Sequence, residues 1–272
     1  NVMFAESIHS SDIDGDGDID LLSANDIGIM LYENDGNEVF VATVIDEAWD
    51  ANFVSSVDMD QDGDMDIVSA YNGHSDGDPS ILYTSILWYE NNGNQEFSIH
   101  FITQNAAVSQ ESMASIIIVD LDLDGDIDIV QGDYYNNAIY KYENDGTQEF
   151  TQITVSSNVN NPISISVADL DQDGAFDIIA NTWGNNELNW YKNYDTYGFM
   201  EYTIAINVNG PWGLSVKDLD GDGDEDIVLG AHFDNTVSWY ENNGEADFIS
   251  HIIDVDAIAV QQINVADMDG DG

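Results

Sequence analysis

Short apolar runs separated by turn residues recur along the whole chain. Five of them, DLLSA, DIVSA, DIVQG, DIIAN and DIVLG, are too short for helices and are typical of buried strands. Each is followed by an aromatic segment that ends in a turn: LYENDGN, LWYENNGN, KYENDGT, NWYKNYDT and SWYENNGE. The Asn-Asp-Gly and Asn-Asn-Gly steps are strong hairpin signals. No segment combines helical periodicity with helix caps, so the pattern predicts an all-β protein.

The same order of four strands repeats at a nearly constant interval. An apolar run such as ISISVA leads into an acidic segment, and the buried run, the aromatic strand and a fourth strand such as FTQITV follow. The acidic segments begin at residues 12, 58, 120, 169, 218 and 267, so the intervals are 46, 62, 49, 49 and 49 residues. Four strands in a repeat of about 40–50 residues are typical of a β-propeller blade. The long second interval indicates an insertion between the second and third strands, roughly Asn72 to Ser85.

These intervals divide a single β-propeller domain over residues 1–272 into blades. The predicted blades are residues 1–46, 47–104, 105–156, 157–207 and 208–255, with a partial sixth blade over 256–272. The first strand of the sixth blade is expected over about 257–266. Because the chain begins at Asn1 and ends inside an acidic segment, we expect it to be part of a longer protein. A split barrel or an open solenoid is the alternative architecture.

Each acidic segment follows the pattern D-x-D-x-D-G-x-x-D, which is complete five times and begins a sixth time at Asp267. Aspartates at alternate positions converge in a tight loop if a cation neutralises them. Calcium is a hard cation that takes about 6–8 oxygen ligands and tolerates irregular geometry. The glycine at position six, Gly17 in the first loop, allows a sharp turn. The pattern therefore predicts one calcium ion in each complete loop, with a sixth site truncated.

The predicted metal ligands are the side chains at positions one, three, five and nine of the pattern and the backbone carbonyl at position seven. They are Asp12, Asp14, Asp16, Asp18 and Asp20; Asp58, Asp60, Asp62, Asp64 and Asp66; Asp120, Asp122, Asp124, Asp126 and Asp128; Asp169, Asp171, Asp173, Ala175 and Asp177; Asp218, Asp220, Asp222, Asp224 and Asp226; and Asp267, Asp269 and Asp271. Ala175 fits a carbonyl ligand because position seven needs no side chain.

Other interpretations of the acidic pattern are less consistent with the residues around it. An EF-hand has a glutamate at position twelve and a helix on each side, whereas position twelve here is Ser23, Ser69, Gln131, Ala180 or Leu229. Magnesium prefers few carboxylates and several waters, and zinc would need Cys or His near the loops. A set of solvated acidic turns without metal is the remaining alternative.

On these motifs and their order, the whole chain resembles the FG-GAP/VCBS repeat family, whose best-known members are the head domains of integrin α-subunits. The resemblance implies a calcium-bearing β-propeller, most often with seven blades. It also implies an extracellular or cell-surface module for adhesion, matrix binding or glycan binding. These implications are expectations about the present chain.

The charge balance limits the partners. The formal net charge is −51, with 54 acidic residues against Lys141, Lys192 and Lys217 and no arginine. Nucleic acids, anionic membranes and acidic polysaccharides all need a basic surface, so they are excluded as direct partners. With so few cationic side chains, bound calcium is the expected source of charge compensation. Calcium affinities of extracellular modules, about 10⁻⁴–10⁻³ M, suit an external setting.

The loops at the sheet ends opposite the acidic pattern do not repeat, and they carry the candidate partner contacts. These are Trp49, Tyr71, His74, Tyr134, Tyr135, Trp183, Trp212, His232 and Phe233. Aromatic rings stack on apolar sugar faces and neighbouring amides bind hydroxyls, so a neutral glycan or a protein is the predicted ligand. The alternative is that these rings pack between blades. The Trp-Tyr pairs of the third strands, by contrast, recur at one position and are expected in the core, and His100 and His251 are expected to be structural.

Two further functions remain open at the level of sequence. The domain is a candidate protomer of an extracellular filament or surface layer, with Asp76 and Asp78 of the insertion as candidate inter-subunit contacts. It is also similar to the propellers of some polysaccharide lyases. A lyase acting on uronates needs cationic groups and a base, and a chain without arginine argues against that role. We therefore predict a protein that is not an enzyme.

Overall fold

The computed structural model describes residues 5–37, 39–47, 51–75, 78–108 and 114–267; for 72–84, 104–108 and 114 the description covers the backbone only. In these ranges twenty strands form five antiparallel sheets of four, and the strands of each sheet are adjacent in sequence order. One short 3-10 turn, Asp195–Tyr197, lies between the third and fourth strands of the fourth sheet. No helix in the described ranges is long and apolar enough to cross a membrane. The predicted all-β class with four strands per repeat is confirmed.

The sheets are numbered 1 to 5 in chain order. Sheet 1 contains β1 (Ala5–Ser11), β2 (Asp20–Asn25), β3 (Gly28–Asn34) and β4 (Phe40–Asp46). Sheet 2 contains β5 (Ala51–Val57), β6 (Asp66–Ser75), β7 (Asp78–Asn91) and β8 (Phe97–Val108). Sheet 3 contains β9 (Ala114–Val119), β10 (Asp128–Asp133), β11 (Ala138–Asn144) and β12 (Phe150–Ser156). Sheet 4 contains β13 (Pro162–Ala168), β14 (Asp177–Thr182), β15 (Glu187–Asn193) and β16 (Phe199–Ile206). Sheet 5 contains β17 (Pro211–Lys217), β18 (Asp226–Ala231), β19 (Thr236–Glu241) and β20 (Ile249–Asp254).

Burial changes systematically across each sheet. The second strands β10, β14 and β18 are buried at every residue. The fourth strands β4 and β20 are mostly exposed. The difference follows from composition, because the DIVxA-type runs are apolar on both faces of the strand and so suit a position between layers. In each sheet the antiparallel order places the first-to-second and third-to-fourth connections at one end. The second-to-third connection lies at the other end.

The chain divides into two compact units. The first unit comprises residues 1–114 and 142–151, and the second comprises 115–141 and 152–272. In the first unit β5 packs against β1 and β2. The Val54 amide donates to Ser7 Oγ at 3.3 Å, and His9 Nε2 lies 3.0 Å from Ser56 Oγ. The core of this unit is formed by Ile13, Leu22, Ala24, Ile29, Leu31, Ala51, Val54, Ile67, Leu87 and Tyr89.

The second unit is built in the same way. There β13 packs against β10, and β17 packs against β13 and β14. One core cluster contains Leu121, Val130, Ile139, Val159, Ile165, Ile178, Ala180 and Tyr191. Another contains Ala168, Leu170, Ile179, Leu188, Trp190, Ile227, Leu229 and Tyr240. Within each unit, therefore, a sheet packs on the preceding sheet through its first strand.

The Trp-Tyr pairs of the third strands lie in the core as expected, except that Trp239 is half-buried, and the recurring histidines stack on tryptophans of these pairs. Trp88 and Trp190 are buried, as are the tyrosines that follow them. His100 stacks on Trp88 with a centroid distance of 4.5 Å, and its Nε2 lies 2.7 Å from Glu90. His251 stacks on Trp239 in the same way at 4.7 Å.

Two segments differ from the sequence-based expectation. The insertion of sheet 2 is a continuation of β6 and β7, because residues 72–75 pair with residues of 78–84. The strand expected over 257–266 is not formed, and residues 260–267 have no regular structure. A first strand is held by hydrogen bonds to a second strand, and no second strand follows it among the described residues. Residues 260 and 263 nevertheless pack on sheet 5, since a Cβ built on Gly230 would lie 2.5 Å from the Val260 side chain and 3.0 Å from that of Ile263.

Candidate functional site

Every complete acidic loop connects the first strand of a sheet to the second. Position one directly follows the first strand, and position nine is the first residue of the second strand, as Asp12 and Asp20 show in sheet 1. The position-one carboxylate accepts a hydrogen bond from the position-six glycine amide at 2.9–3.1 Å in all five loops. That glycine has φ between 92° and 103°, a left-handed conformation in which a side chain is strained. The predicted role of Gly17 and its counterparts in the turn is confirmed.

The loops bring carboxylates together in clusters of three. In each cluster the potential ligand atoms lie within 4.8 Å of one another. The clusters are Asp12, Asp14 and Asp20; Asp58, Asp60 and Asp62; Asp120, Asp122 and Asp124; Asp169, Asp171 and Asp177; and Asp218, Asp220 and Asp226. Three clusters thus use position nine and two use position five. All the donors are hard oxygen atoms, which suit calcium and not zinc.

Several carboxylate oxygens in these clusters are buried without a hydrogen-bond partner among the described residues. They are Oδ1 of Asp12, Asp58, Asp120 and Asp171. Because a buried carboxylate oxygen without a partner is unfavourable, these atoms are suited to contact a cation. The donor atoms of the acidic loops therefore fit a divalent, oxygen-liganded ion; in the fourth loop Lys192 already contacts Asp171 and Asp173.

The position-nine aspartate has a second role that the sequence interpretation missed. Its Oδ2 accepts the amide of position two at 2.9–3.3 Å in all five loops. Its Oδ1 accepts, at 2.7–2.8 Å, the amide of the asparagine that ends or directly follows the third strand in sheets 1, 2, 4 and 5. The same carboxylate thus ties the acidic loop to the third strand of its sheet.

That asparagine is the second residue that the sequence interpretation missed. Its side-chain amide donates to the carbonyl of position eight at 3.1–3.2 Å in sheets 1, 2, 4 and 5. Its Oδ1 accepts a backbone amide of the following turn at 3.0–3.2 Å. The available signal is the repeat Tyr-x-Asn, which places Asn34, Asn91, Asn144, Asn193 and Asn242 at one position.

Position seven, predicted to contribute only a carbonyl, packs with its side chain against the turn between the third and fourth strands. A Cβ built on Gly36, Gly93 or Gly244 would lie 2.4–2.7 Å from Oδ2 of Asp18, Asp64 or Asp224, respectively. In the fourth loop Ala175 makes no such approach. Of the truncated sixth loop, Asp267 is described, whereas Asp269 and Asp271 lie outside the described residues.

At the opposite end of the sheets, four of the predicted partner residues form one aromatic cluster. Trp183 lies in the turn after β14, His232 and Phe233 in the turn after β18, and Trp212 in β17. The Trp183 ring centroid is 5.3 Å from that of Trp212 and 5.1 Å from that of Phe233. Trp212 and His232 are 5.6 Å apart. Phe233 is 57% exposed, and the other three rings are half-buried.

The backbone holds this cluster in place. The His232 amide donates to the Gly210 carbonyl at 2.7 Å, and the Trp183 amide donates to the Asn161 carbonyl at 3.0 Å. Gly210 has φ of 68°, and a Cβ there would lie 2.9 Å from the Phe233 ring and 3.3 Å from Trp183. Glycine is therefore needed both for the turn and for the close approach of the rings.

An amide-lined cleft lies beside the aromatic cluster. Its volume is about 380 Å³, and it is lined by Asn136, Asn137, Ser157, Asn158, Asn160 and Asn185. Asn160 connects the two features, because its carbonyl accepts the Gly184 amide at 3.0 Å next to Trp183. The lining contains neutral hydrogen-bonding groups and no ionisable side chain.

The remaining predicted partner residues are placed differently. Tyr134 and Tyr135 form a separate edge-to-face pair with a centroid distance of 4.9 Å. Tyr71 is half-buried against the core of the first unit, which leaves little of its ring for a partner. Trp49 and the His74 side chain lie outside the described part of the structure, as do the side chains of Asp76 and Asp78.

Comparison with known proteins identifies relatives at the level of repeats and fold. A family model described as FG-GAP-like repeat matches residues 12–69, 58–131, 120–180 and 218–272. No curated protein sequence matches the chain significantly.

Three solved structures are similar to the chain. The biofilm matrix protein Bap1 of V. cholerae shares 18% identity over 91% of this chain and 38% of its own, with a TM-score of 0.51. An Agrocybe aegerita lectin that recognises non-reducing terminal N-acetylglucosamine shares 16% identity over 94% of this chain and 82% of its own, with a TM-score of 0.49. An auxiliary nutrient binding protein from Bacteroides ovatus shares 13% identity over 85% of this chain and 54% of its own, again with a TM-score of 0.49. At these identities the likeness concerns the fold alone.

The double role of position nine is testable by comparing Asp226→Asn with Asp220→Asn. Both oxygens of Asp226 accept buried backbone amides, and asparagine replaces one of these oxygens with an NH₂ group that cannot accept a hydrogen bond. We therefore expect the Asp226→Asn variant to lose about 1–3 kcal/mol of unfolding free energy even without metal. Asp220 accepts one exposed amide, and its replacement should change the metal-free value by less than about 0.5 kcal/mol. Urea unfolding of metal-stripped protein in about 1 M NaCl, where charges are screened beyond about 3 Å, measures both. Equal losses in the two variants would contradict the assignment.

A pH dependence follows from the same buried carboxylates. Burial raises the pKa of Asp66 and of Asp177 to about 6, from an ordinary value of 3.8. Between these two values the folded state binds protons that the unfolded state does not, so metal-free stability should rise as the pH falls from about 7 to about 5. A cation needs the ionised carboxylates, so its stabilising effect should shrink over the same range. Melting curves with and without calcium at each pH test both trends. A metal-free melting temperature that falls on acidification, or that rises equally in an Asp66→Asn, Asp177→Asn double variant, would contradict the assignment.

Proposed function

The chain belongs to the FG-GAP-like repeat family, and on that premise we propose that it is a calcium-stabilised extracellular module that binds a neutral glycan or a protein. The observation that carries the proposal is the aromatic cluster beside the amide-lined cleft, held at the sheet ends opposite the acidic loops. In this proposal the acidic loops are scaffold and the aromatic end is the recognition surface.

We propose calcium as the ion of the acidic loops. The side chains at positions one, three and five would hold it, with position nine contributing from its anchored carboxylate and position seven from its carbonyl. Bound calcium supplies positive charge that removes the mutual repulsion of the aspartates. Because the net charge is −51, each divalent ion bound in a loop would neutralise two of these negative charges. The calcium levels outside cells suit loops of this kind, which supports an extracellular setting.

We further propose that the five sheets are blades of a β-propeller. Their sequential antiparallel order and the packing of each first strand on the preceding sheet, seen within each unit, support this architecture. A ring of seven blades would require residues beyond those of this chain.

The recognition surface is argued from its chemistry. Asparagine side chains present both a donor and an acceptor, which pair with sugar hydroxyls or with a peptide backbone. Aromatic rings beside them supply flat apolar area for a sugar face or an apolar side chain. The cleft lining carries no charge, so a neutral ligand matches it better than a charged one. The high negative charge of the whole chain would repel an acidic glycan at long range.

A second candidate function is the protomer of an extracellular filament or surface layer. The observation that favours it is the exposed apolar character of the edge strand β20, where Ile249 is 59% and Ile252 is 65% exposed. Exposed apolar edge strands pair readily with other chains. Light scattering and electron microscopy in millimolar calcium distinguish an assembling protein from a monomeric module. For a polysaccharide lyase the chain offers little, because the Lys192 ammonium is occupied by Asp171 and Asp173.

Calcium removal tests the scaffold part of the proposal. One site filled at 100 times its Kd contributes about 2.7 kcal/mol, and 1 kcal/mol shifts the melting temperature by about 2–4 °C in a domain of about 150–250 residues. We therefore expect a chelator to lower the melting temperature by at least about 5 °C, and excess calcium to restore it. Magnesium at matched ionic strength is the control and should restore little. An unchanged melting temperature would contradict the proposal.

Ligand binding tests the recognition part. Phe233→Ala removes the most exposed ring of the aromatic cluster, and Tyr197→Ala removes a 93% exposed ring at the acidic-loop end of sheet 4. On an array of neutral oligosaccharides, wild type and Tyr197→Ala should bind the same sugars. Phe233→Ala should bind about tenfold more weakly, since burying a phenylalanine contributes about 1.5–3 kcal/mol. Equal weakening by both variants would contradict this location, and no binding at all would favour a protein ligand or self-assembly.

A further inference from the structure

One position of the third strand distinguishes the fourth acidic loop from the others. The residue between tyrosine and asparagine in the Tyr-x-Asn repeat is Glu33, Glu90, Glu143 and Glu241 in sheets 1, 2, 3 and 5, and Lys192 in sheet 4. The glutamates lie near enough to the position-three aspartate of their own loop to repel it: Glu33 acts on Asp14, Glu90 on Asp60 and Glu241 on Asp220. Lysine at this position reverses the sign of that interaction.

Lys192 is inserted into the fourth loop. Its Nζ donates to Oδ2 of Asp171 and, at 2.8 Å, to Oδ2 of Asp173. The ammonium lies 5.7 Å from the ring centroid of Trp190 and 5.2 Å from that of Tyr194, a distance at which aromatic rings attract a cation. The lysine side chain is 13% exposed and that of Asp171 is 15% exposed. Partial burial makes such a pair stronger than an ion pair in open solvent.

Other residues of the fourth repeat differ in a coordinated way. Position seven is Ala175 where the other complete loops have aspartate. In sheets 1, 2 and 5 the turn after the third strand contains a glycine that lies against the position-seven aspartate. In sheet 4 the corresponding turn contains the 3-10 segment Asp195–Tyr197. With their third-strand glutamate, the other four loops each carry five aspartates and at least six negative charges; the fifth has a seventh from Glu225. With Lys192, the fourth carries four aspartates and a net charge of −3.

We propose that Lys192 is a built-in counter-ion, which makes the fourth loop the one complete loop that keeps its structure without calcium and binds calcium weakly. The proposal rests on calcium being the ion of the other loops. A calcium ion that enters the fourth loop must displace the Lys192 ammonium from Asp171 and Asp173, so the ion pairs of the lysine are lost. The displaced ammonium stays close to the ion, and the two positive charges repel each other. Sheet 4 would therefore stay ordered at calcium concentrations that leave the other loops unfilled.

The test exchanges the two residue types. Lys192→Glu gives the fourth loop the charge pattern of the others, and Lys192→Met removes the charge while keeping a linear side chain. Glu33→Lys introduces the lysine into the first loop. Lys217→Glu makes the same change in net charge as Lys192→Glu at an exposed residue just before the fifth loop. Equilibrium dialysis against radioactive calcium counts the ions bound per chain, and melting curves with and without chelator report the calcium dependence of each variant.

The expected result is that Lys192→Glu and Lys192→Met each bind one calcium ion more than wild type at the same free calcium. Glu33→Lys should bind one fewer, and Lys217→Glu should match wild type. The difference in melting temperature with and without chelator should increase in Lys192→Glu, since a further loop then depends on the ion. If Lys192→Glu folds only when calcium is present, that outcome also supports the proposal, and if it fails to fold in both conditions the Lys192→Met count decides.

Two outcomes separate this proposal from the one on which it rests. If wild type binds no calcium, the proposed scaffold role of calcium is wrong. If wild type binds calcium but the count is unchanged in Lys192→Glu and Lys192→Met, the loops hold calcium as proposed and Lys192 is not a counter-ion that excludes it.

Discussion

Repulsion among carboxylates gathered at the start of every second strand is the constraint on which the rest of the structure depends. Each loop places three carboxylate groups within 4.8 Å of one another, and the whole chain carries only three cationic side chains against 54 acidic ones. The loops nevertheless lead directly into the buried second strand of each sheet, so they cannot simply spread apart. Backbone hydrogen bonds compensate part of this repulsion, and a cation is suited to compensate the rest.

The position-nine aspartate shows how the loop chemistry is joined to the fold. Its two oxygens accept one amide from the loop and one from the asparagine at the third strand, in a buried position where the pKa rises to about 6 in Asp66 and Asp177. The same residue therefore holds the sheet together and contributes to the charge of the acidic loop. Because one residue is both a candidate ion ligand and a contact between strands, binding of an ion at the loop would directly increase the stability of the fold. Among the described residues, the opposite sheet ends carry no such acidic cluster, and the non-repeating aromatic and amide side chains lie there.

Sequence periodicity was sufficient to predict the four-stranded repeats, the turn glycines and the placement of the acidic loops, because each depends on residues close in sequence. Other features depend on contacts between distant residues. The aromatic cluster requires that Trp183 of one sheet meet Trp212 and Phe233 of the next, and periodicity predicts the shared end of the sheets but not that contact. The insertion contains two turn signals, Asn72-Gly73 and Asp76-Gly77, and only the strand pairing in the structure shows that β6 continues through the first of them. The role of Asn91 and its counterparts is visible in the Tyr-x-Asn repeat, but only the structure shows why that residue is asparagine.

The most direct test of the account is a crystal structure of the protein grown in calcium, with anomalous difference maps collected at a wavelength where calcium scatters. The account predicts anomalous peaks in the loops that begin at Asp12, Asp58, Asp120 and Asp218, with Lys192 still bound to Asp171 and Asp173 in the fourth loop. Well-ordered loops without anomalous peaks, or peaks only at contacts between molecules, would contradict it.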